Sequence, residues 1–132
     1  MESDPVPSTS ESQFDAGRQL AARLFAGAPR ARRLPPEMLR HTMGHLFGDV
    51  WQDERLSIEQ RSLLTCTVLV ALNREAELRL HIRGARNVGI DRDALEAMMI
   101  QVAHYAGWPV GATGLRILDE VWEEMDAQAN EA

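Results

Sequence analysis

Apolar residues along the chain recur three and four positions apart, the period of a helix buried on one side, and no stretch alternates as a half-buried strand would. From Phe14 to Phe25 they fall at 14, 20, 21, 24 and 25, predicting an amphipathic helix that ends near Gly27. Ala28-Pro29 opens a connector through Arg33. Pro35-Pro36 suits a helix start, because a first turn leaves the N–H that proline lacks unpaired anyway. The helix so begun carries Met38, Leu39, Met43, Leu46, Phe47 and Val50. Ser57 with Gln60 three residues later has the form of a capping box, predicting a helix to Leu72. From Leu63 to Leu72 that helix is apolar nearly all round, which requires burial at the centre of the fold or in a subunit interface.

Three more helices follow. Glu75–Val88 shows an apolar face of Leu78, Ile82, Ala85 and Val88, with Arg79, Arg83 and Arg86 opposite and Gly89 at the left-handed C-terminal position. Asp91 caps the next, which points Leu95, Met98, Met99, Val102 and Ala106 inward. Gly107-Trp108-Pro109 breaks the chain. The last helix runs from about Val110 to Asp126 on Leu115, Leu118, Val121, Trp122 and Met125. Residues 1–12, rich in serine, proline and acid, read as a disordered tail. The fold class is therefore all-α, with about six helices in a single domain over 13–132.

Composition narrows the functional classes. The 132 residues suffice for one core, and 45% of them are hydrophobic. No apolar run approaches the roughly 18 residues of a membrane span. The acidic N-terminus has no apolar stretch, so no secretory signal is expected and the cytoplasm is the default location. Cys66 is the one cysteine, which excludes an intrachain disulfide and leaves a cysteine-based zinc site short of ligands. The net charge of −6 hides a division: −3 over residues 1–12, −6 over 119–132, and +3 between, where eleven acids face fourteen bases. Every base is arginine, whose planar fork holds carboxylates in bidentate geometry, so the middle of the chain suits a small anionic ligand. Nucleic acid is a poor partner, since no basic run beyond Arg30–Arg33 exists and no aromatic platform adjoins it.

Few residues offer chemistry on their own. His81 borders the apolar face of its helix, so it is either a satisfied core imidazole or a poised acid–base group. His41 and His45 stand four apart on one helix, but no glutamate accompanies them as in a zinc-binding H-E-x-x-H, and a surface pair is the plainer reading. No metal site is expected. His104 near a helix end is as readily a partner of the helix dipole as a catalyst. Cys66 has no basic neighbour within a turn, the setting of an inert buried thiol. Gly107, Gly111, Ala112 and Gly114 lack the lysine and preceding strand of a phosphate loop; they either let two backbones approach or leave room for a ligand.

Four segments together resemble a known family: Phe47-Gly48-Asp49-Val50-Trp51, Arg61-Ser62-Leu63, Leu78-Arg79-Leu80-His81-Ile82-Arg83-Gly84-Ala85 and Tyr105-Ala106-Gly107-Trp108-Pro109. Their order and intervals over about residues 35–125 are similar to γ-carboxymuconolactone decarboxylases, within the wider AhpD-like superfamily. The resemblance implies an AhpD-like helical domain assembled as a ring-like homo-oligomer, a hexamer or trimer of dimers. In the peroxidase branch a C-x-x-C-x-x-x-H frame occupies one helix. Here the frame falls on Arg74, Glu77 and His81, so thiol peroxidase chemistry is not expected.

The decarboxylase branch implies a cofactor-free lyase acting on a small anionic unsaturated lactone. On that likeness His81 is the proton donor or dienolate stabiliser, and Asp49, where the family often has Glu, orients it. Tyr105 donates a hydrogen bond, Arg61 or Arg83 holds a carboxylate, and Trp51 and His104 contact substrate. His104, Trp108, His41 and His45 depart from the family pattern. They point to an alternative, a biosynthetic relative catalysing isomerisation, cyclisation or proton transfer on another substrate; a non-catalytic ligand-binding helical oligomer is a third reading.

Overall fold

A computed structural model describes residues 10–30 and 33–131, and they are all-helical, with no strand among them. The six α-helices are α1 (Glu11–Leu24), α2 (Pro36–Arg40), α3 (Ile58–Ala71), α4 (Glu75–Asn87), α5 (Arg92–Ala106) and α6 (Trp108–Glu131). The chain divides into two compact units. One comprises residues up to Ala22 and Ala31–Arg55; the other comprises Arg23–Arg30 and Leu56–Ala132. None of the described helices is long and apolar enough to cross a membrane.

Most of the tail expected over 1–12 lies outside the described residues, but α1 already begins at Glu11. Ser10 and Gln13 close a capping box there: the Gln13 N–H donates to Ser10 Oγ at 3.1 Å, and the Ser10 N–H donates to Gln13 Oε1 at 3.0 Å. In the first unit, α2 does not continue as one α-helix to Val50. It opens into a π-helical turn over His41–Leu46, with the Phe47 N–H donating five residues back to Thr42 C=O at 3.0 Å, and a 3-10 turn follows at Val50–Gln52. The wider turn goes with a close backbone approach. A Cβ on Gly17 of α1 would run into the Met43 carbonyl, and one on Gly48 into the Gln13 carbonyl.

The second unit holds the main core. Cys66 and Val70 of α3, Leu78, Ile82 and Ala85 of α4, Leu95, Met99 and Val102 of α5, and Ile117, Leu118, Val121 and Met125 of α6 are all buried together. The predicted N-caps form: Ser57 Oγ accepts from the Gln60 N–H at 3.0 Å and Asp91 Oδ1 from the Ala94 N–H at 2.8 Å. Gly89 takes its left-handed conformation at φ +100°. Gly107, at φ +120°, turns the chain in one residue, so α6 starts at Trp108 rather than Val110, with Pro109 in its first turn. Of the two readings of the small-residue cluster, the close approach is realised. A Cβ on Gly111 would stand 2.5 Å from the Ala103 Cβ of α5.

Burial along α3 is one-sided. Ser62, Cys66 and Val70 are inside, while Leu64 (53% exposed), Val68 (47%) and Leu72 (63%) form an open apolar stripe one turn apart. The arginines of α4 have partners. Arg79 pairs with Glu120 and Glu124 of α6, Arg83 with Gln128 and Glu124, and Arg86 with Asp126, its guanidinium stacked 4.7 Å over the Trp122 ring. Arg116 of α6 reaches back to Glu75 at 2.8 Å. The acidic end of the chain thus neutralises the basic face of α4.

Candidate functional site

His81, Gly84 and Asn87 stand at i, i+3 and i+6 on α4 and make one stripe along it. That stripe receives the turn after α1. Leu24, fully buried, packs over Gly84, where a Cβ would stand 3.4 Å from the Leu24 side chain and carbonyl, an ordinary contact. Asn87 Nδ2 donates to the Leu24 carbonyl at 2.8 Å and to the Ala26 carbonyl at 3.1 Å. Gln128 Nε2 of α6 donates to the Gly27 carbonyl at 3.1 Å, and its Oε1 accepts from Arg83 Nη1 at 2.6 Å. Phe25, carried on this turn, stands edge-on to the His81 ring, centroids 5.3 Å apart at 86°.

His81 is half-buried in consequence. Burial disfavours the charged imidazolium and lowers its pKa to about 4, against a smaller opposing pull from the Glu77 carboxylate one turn earlier. At neutral pH the ring is therefore uncharged, with one N–H to donate and one lone pair to accept.

The other site residues read from the sequence fall in several places. Arg83 has a side chain only 5% exposed and aims at Gln128 and Glu124. Arg61 is half-buried in the first turn of α3. Tyr105 (88% exposed) and His104 close α5 at the surface. His104 Nδ1 lies 2.8 Å from the Ile100 carbonyl, and its ring is edge-on to Trp108 at 5.8 Å. His81 and Tyr105 are carried on different helices, α4 and α5, each of which packs chiefly on α3 and α6. Asp49 and Trp51 belong to the first unit. Asp49 is exposed with His45 Nδ1 3.8 Å from its carboxylate, and Trp51 packs on Phe47 at 5.5 Å.

A groove of about 390 Å³ runs between α3 and α5, lined by Leu63, Thr67, Met98, Gln101, Val102 and Tyr105 among others, without a charged group. Cys66 is fully buried and its pKa is pushed up to about 12 by burial, so the thiol stays protonated. Among the described residues no three His, Cys, Asp or Glu side chains converge as a metal site would need.

Residues 36–120 match the model of the carboxymuconolactone decarboxylase family. The chain belongs to that family. Among its relatives is the 4-carboxymuconolactone decarboxylase of Acinetobacter baylyi, 37% identical over 79 residues, which cover 60% of this chain and 59% of that one. A nitrosuccinic acid decarboxylase of Metarhizium robertsii is 38% identical over 63 residues, 48% of this chain and 44% of its own. Peroxisomal protein 2 of Saccharomyces cerevisiae is 31% identical over 86 residues, 61% and 30% respectively. The matches thus span between 30% and 59% of these relatives' lengths. Phe25 and Asn87, which the fold places along the same stripe as His81, were not among the candidate residues read from the sequence. The spacing of His81, Gly84 and Asn87 on one face was the available signal.

Proposed function

We propose that this family member is a cofactor-independent decarboxylase of a small, anionic, unsaturated lactone, with His81 as the group that meets the reacting substrate. The observation that carries this reading is a half-buried imidazole, held uncharged, in a family with two relatives named as decarboxylases. Decarboxylation breaks the bond to the carboxylate carbon and leaves its electron pair on the substrate. In a conjugated lactone that pair moves to the carbonyl oxygen, forming a dienolate. A neutral imidazole N–H donating to that oxygen stabilises charge that develops only in the transition state. Protonation at carbon, with the proton drawn from solvent, completes the product. Of the two roles the sequence left open for His81, its low pKa favours stabiliser over proton donor.

A carboxylate on the substrate needs a cation. We assign that role to Arg61, half-buried in the first turn of α3, with Arg83, which bonds Gln128 and Glu124, as the second candidate. Tyr105 and His104, exposed on one chain, enter this reading as groups that a second copy covers; we place the homo-oligomer contact on the apolar stripe of α3. The nitrosuccinic acid decarboxylase relative favours a second substrate class, a small dicarboxylate with a nitro group as the electron sink.

The test is CO₂ release from carboxymuconolactone and from nitrosuccinate, with wild type and two variants. His81→Ala is expected to lower kcat roughly 10²–10³-fold, the usual loss for one stabilising donor. His81→Leu, which fills the space without a donor, should lose as much with the fold intact by circular dichroism. Full activity in His81→Leu would remove His81 from the site, and no CO₂ from either substrate would defeat the decarboxylase reading.

A further inference from the structure

We infer that the Leu24–Gly27 turn is a positioning device for His81, with Asn87 and Gln128 as the residues that fasten it and Phe25 as the wall it sets against the imidazole. The inference rests on the reading of His81 as the reacting group. Three observations lead to it.

The turn is held at three of its carbonyls, one before Phe25 and two after it. Asn87 takes those of Leu24 and Ala26 with one amide group, and Gln128 takes that of Gly27. These partners lie 61, 63 and 101 residues away in sequence, so the fastening is tertiary and not a property of the turn itself. Gly27 is needed for it. Its φ of +78° is left-handed, and a Cβ there would press to 3.3 Å from the Arg83 guanidinium and 3.6 Å from Gln128 Oε1. The turn also lies along the same α4 stripe as the histidine, so holding it at Gly84 and Asn87 fixes Phe25 over His81 one turn away.

Chemically, the turn brings the ring edge of Phe25 and no ionisable side chain, since Leu24, Phe25, Ala26 and Gly27 carry none. The Glu77 carboxylate, on α4 itself, pulls the other way and more weakly than burial. An apolar wall on this side of the ring disfavours the imidazolium and orients the imidazole. A tethered wall does this better than a loose one, because each water that slips between Phe25 and His81 re-solvates the imidazolium and frees the ring to rotate. Asn87 and Gln128 touch neither the imidazole nor, on this reading, the substrate. Their effect passes through Phe25.

The experiment is NMR titration of the His81 imidazole, with kcat and KM against pH, in wild type, Phe25→Leu, Asn87→Ala and Gln128→Ala. In Phe25→Leu the imidazole pKa should rise from about 4 toward its ordinary value near 6.5. Asn87→Ala and Gln128→Ala should raise it in the same direction by less. Each should lower kcat about tenfold with KM little changed, as for a displaced reacting group. The acid limb of kcat should move up in pH with the imidazole. Phe25→Tyr, which keeps the ring edge, should restore both the pKa and kcat of wild type. An imidazole that stays near 4 in Asn87→Ala and Gln128→Ala, while their melting temperatures fall, would make the fastening merely structural and overturn the inference. Because the titration reads the ring directly, it separates this failure from that of the proposed function. Full activity in His81→Leu would sink the latter while the pKa shifts still reported on the turn.

Discussion

At the scale of single residues, two ionisable groups are shifted by the same cause, burial, toward their uncharged forms. His81 carries a linkage between stability and pH. In the unfolded chain its imidazole takes up a proton near 6.5, and in the folded protein only near 4. Between those values the unfolded state binds more protons, so this contribution to stability is complete above pH 6.5. It is lost as the pH falls through the window and is gone below 4. The size is at most about 3 kcal/mol. Urea unfolding at pH 7.5 and pH 4.5 should show this loss in wild type and not in His81→Leu; equal losses in the two would place the linkage elsewhere. The same neutral ring predicts a kcat/KM that stays flat from pH 8 to 5 and drops only as the free imidazole protonates below it. A rate rising steadily as pH falls from 8 would instead mark imidazolium as the acid. Cys66, fully buried with a pKa near 12, should resist a thiol reagent at pH 8 until the protein unfolds.

Among the elements, α4 shows how far the chain alone could be read. Its apolar face of Leu78, Ile82 and Ala85 was legible because a period of 3.6 is a local property. The destination of its arginines was not, since their partners on α6 follow from how two helices cross. The acidic 119–132 stretch and the basic 79–86 stretch were each visible, but their neutralisation required the fold. The capping box at Ser57 was read, whereas the equivalent one at Ser10 was hidden by an acidic, proline-rich context that reads as a tail. The border position of His81 on α4 left a core role and an acid–base role both open, and the family resemblance favoured the second. Its neighbours Phe25 and Asn87 could not be placed from the sequence, because they come together only through a turn whose anchors lie more than sixty residues away. Two substitutions test these helix contacts. Arg83→Met keeps the buried stem and drops the charge-assisted bond to Gln128, with an expected cost of about 1–3 kcal/mol in melting experiments. If KM then stays within twofold, Arg83 is structural and does not hold substrate; a tenfold rise would return it to the site. Gly111→Ala should destabilise by about 1–3 kcal/mol despite the better helix propensity of alanine. Its Cβ would sit 2.9 Å from the Ala103 Cα and 3.1 Å from the Met99 carbonyl, backbone atoms that cannot move aside.

For the whole molecule, the question of assembly turns on the exposed apolar surface of α3. An all-round apolar helix was the sequence's reason to expect a subunit contact, and on one chain half of it is uncovered. Leu64, Val68 and Leu72 make a ridge on α3. Leu63 and Thr67 of the same helix form one wall of the α3–α5 groove, whose other wall carries Met98, Gln101, Val102 and Tyr105. A ridge and a groove sharing one helix are self-complementary, since a two-fold axis can lay each copy's ridge in the other's groove. Tyr105 and Trp108 are also largely exposed. No arginine, aspartate or glutamate is among the groove-lining residues to oppose that burial. Sedimentation at micromolar concentration should therefore give a dimer or a larger assembly. Val68→Asp, placing a charge in the middle of the ridge, should shift it to monomer while the helical circular dichroism is kept. A monomeric wild type would reject the assembly outright. An assembly that survives both Val68→Asp and Leu64→Asp would reject this face, and with it the covering of Tyr105 and His104 by a second copy.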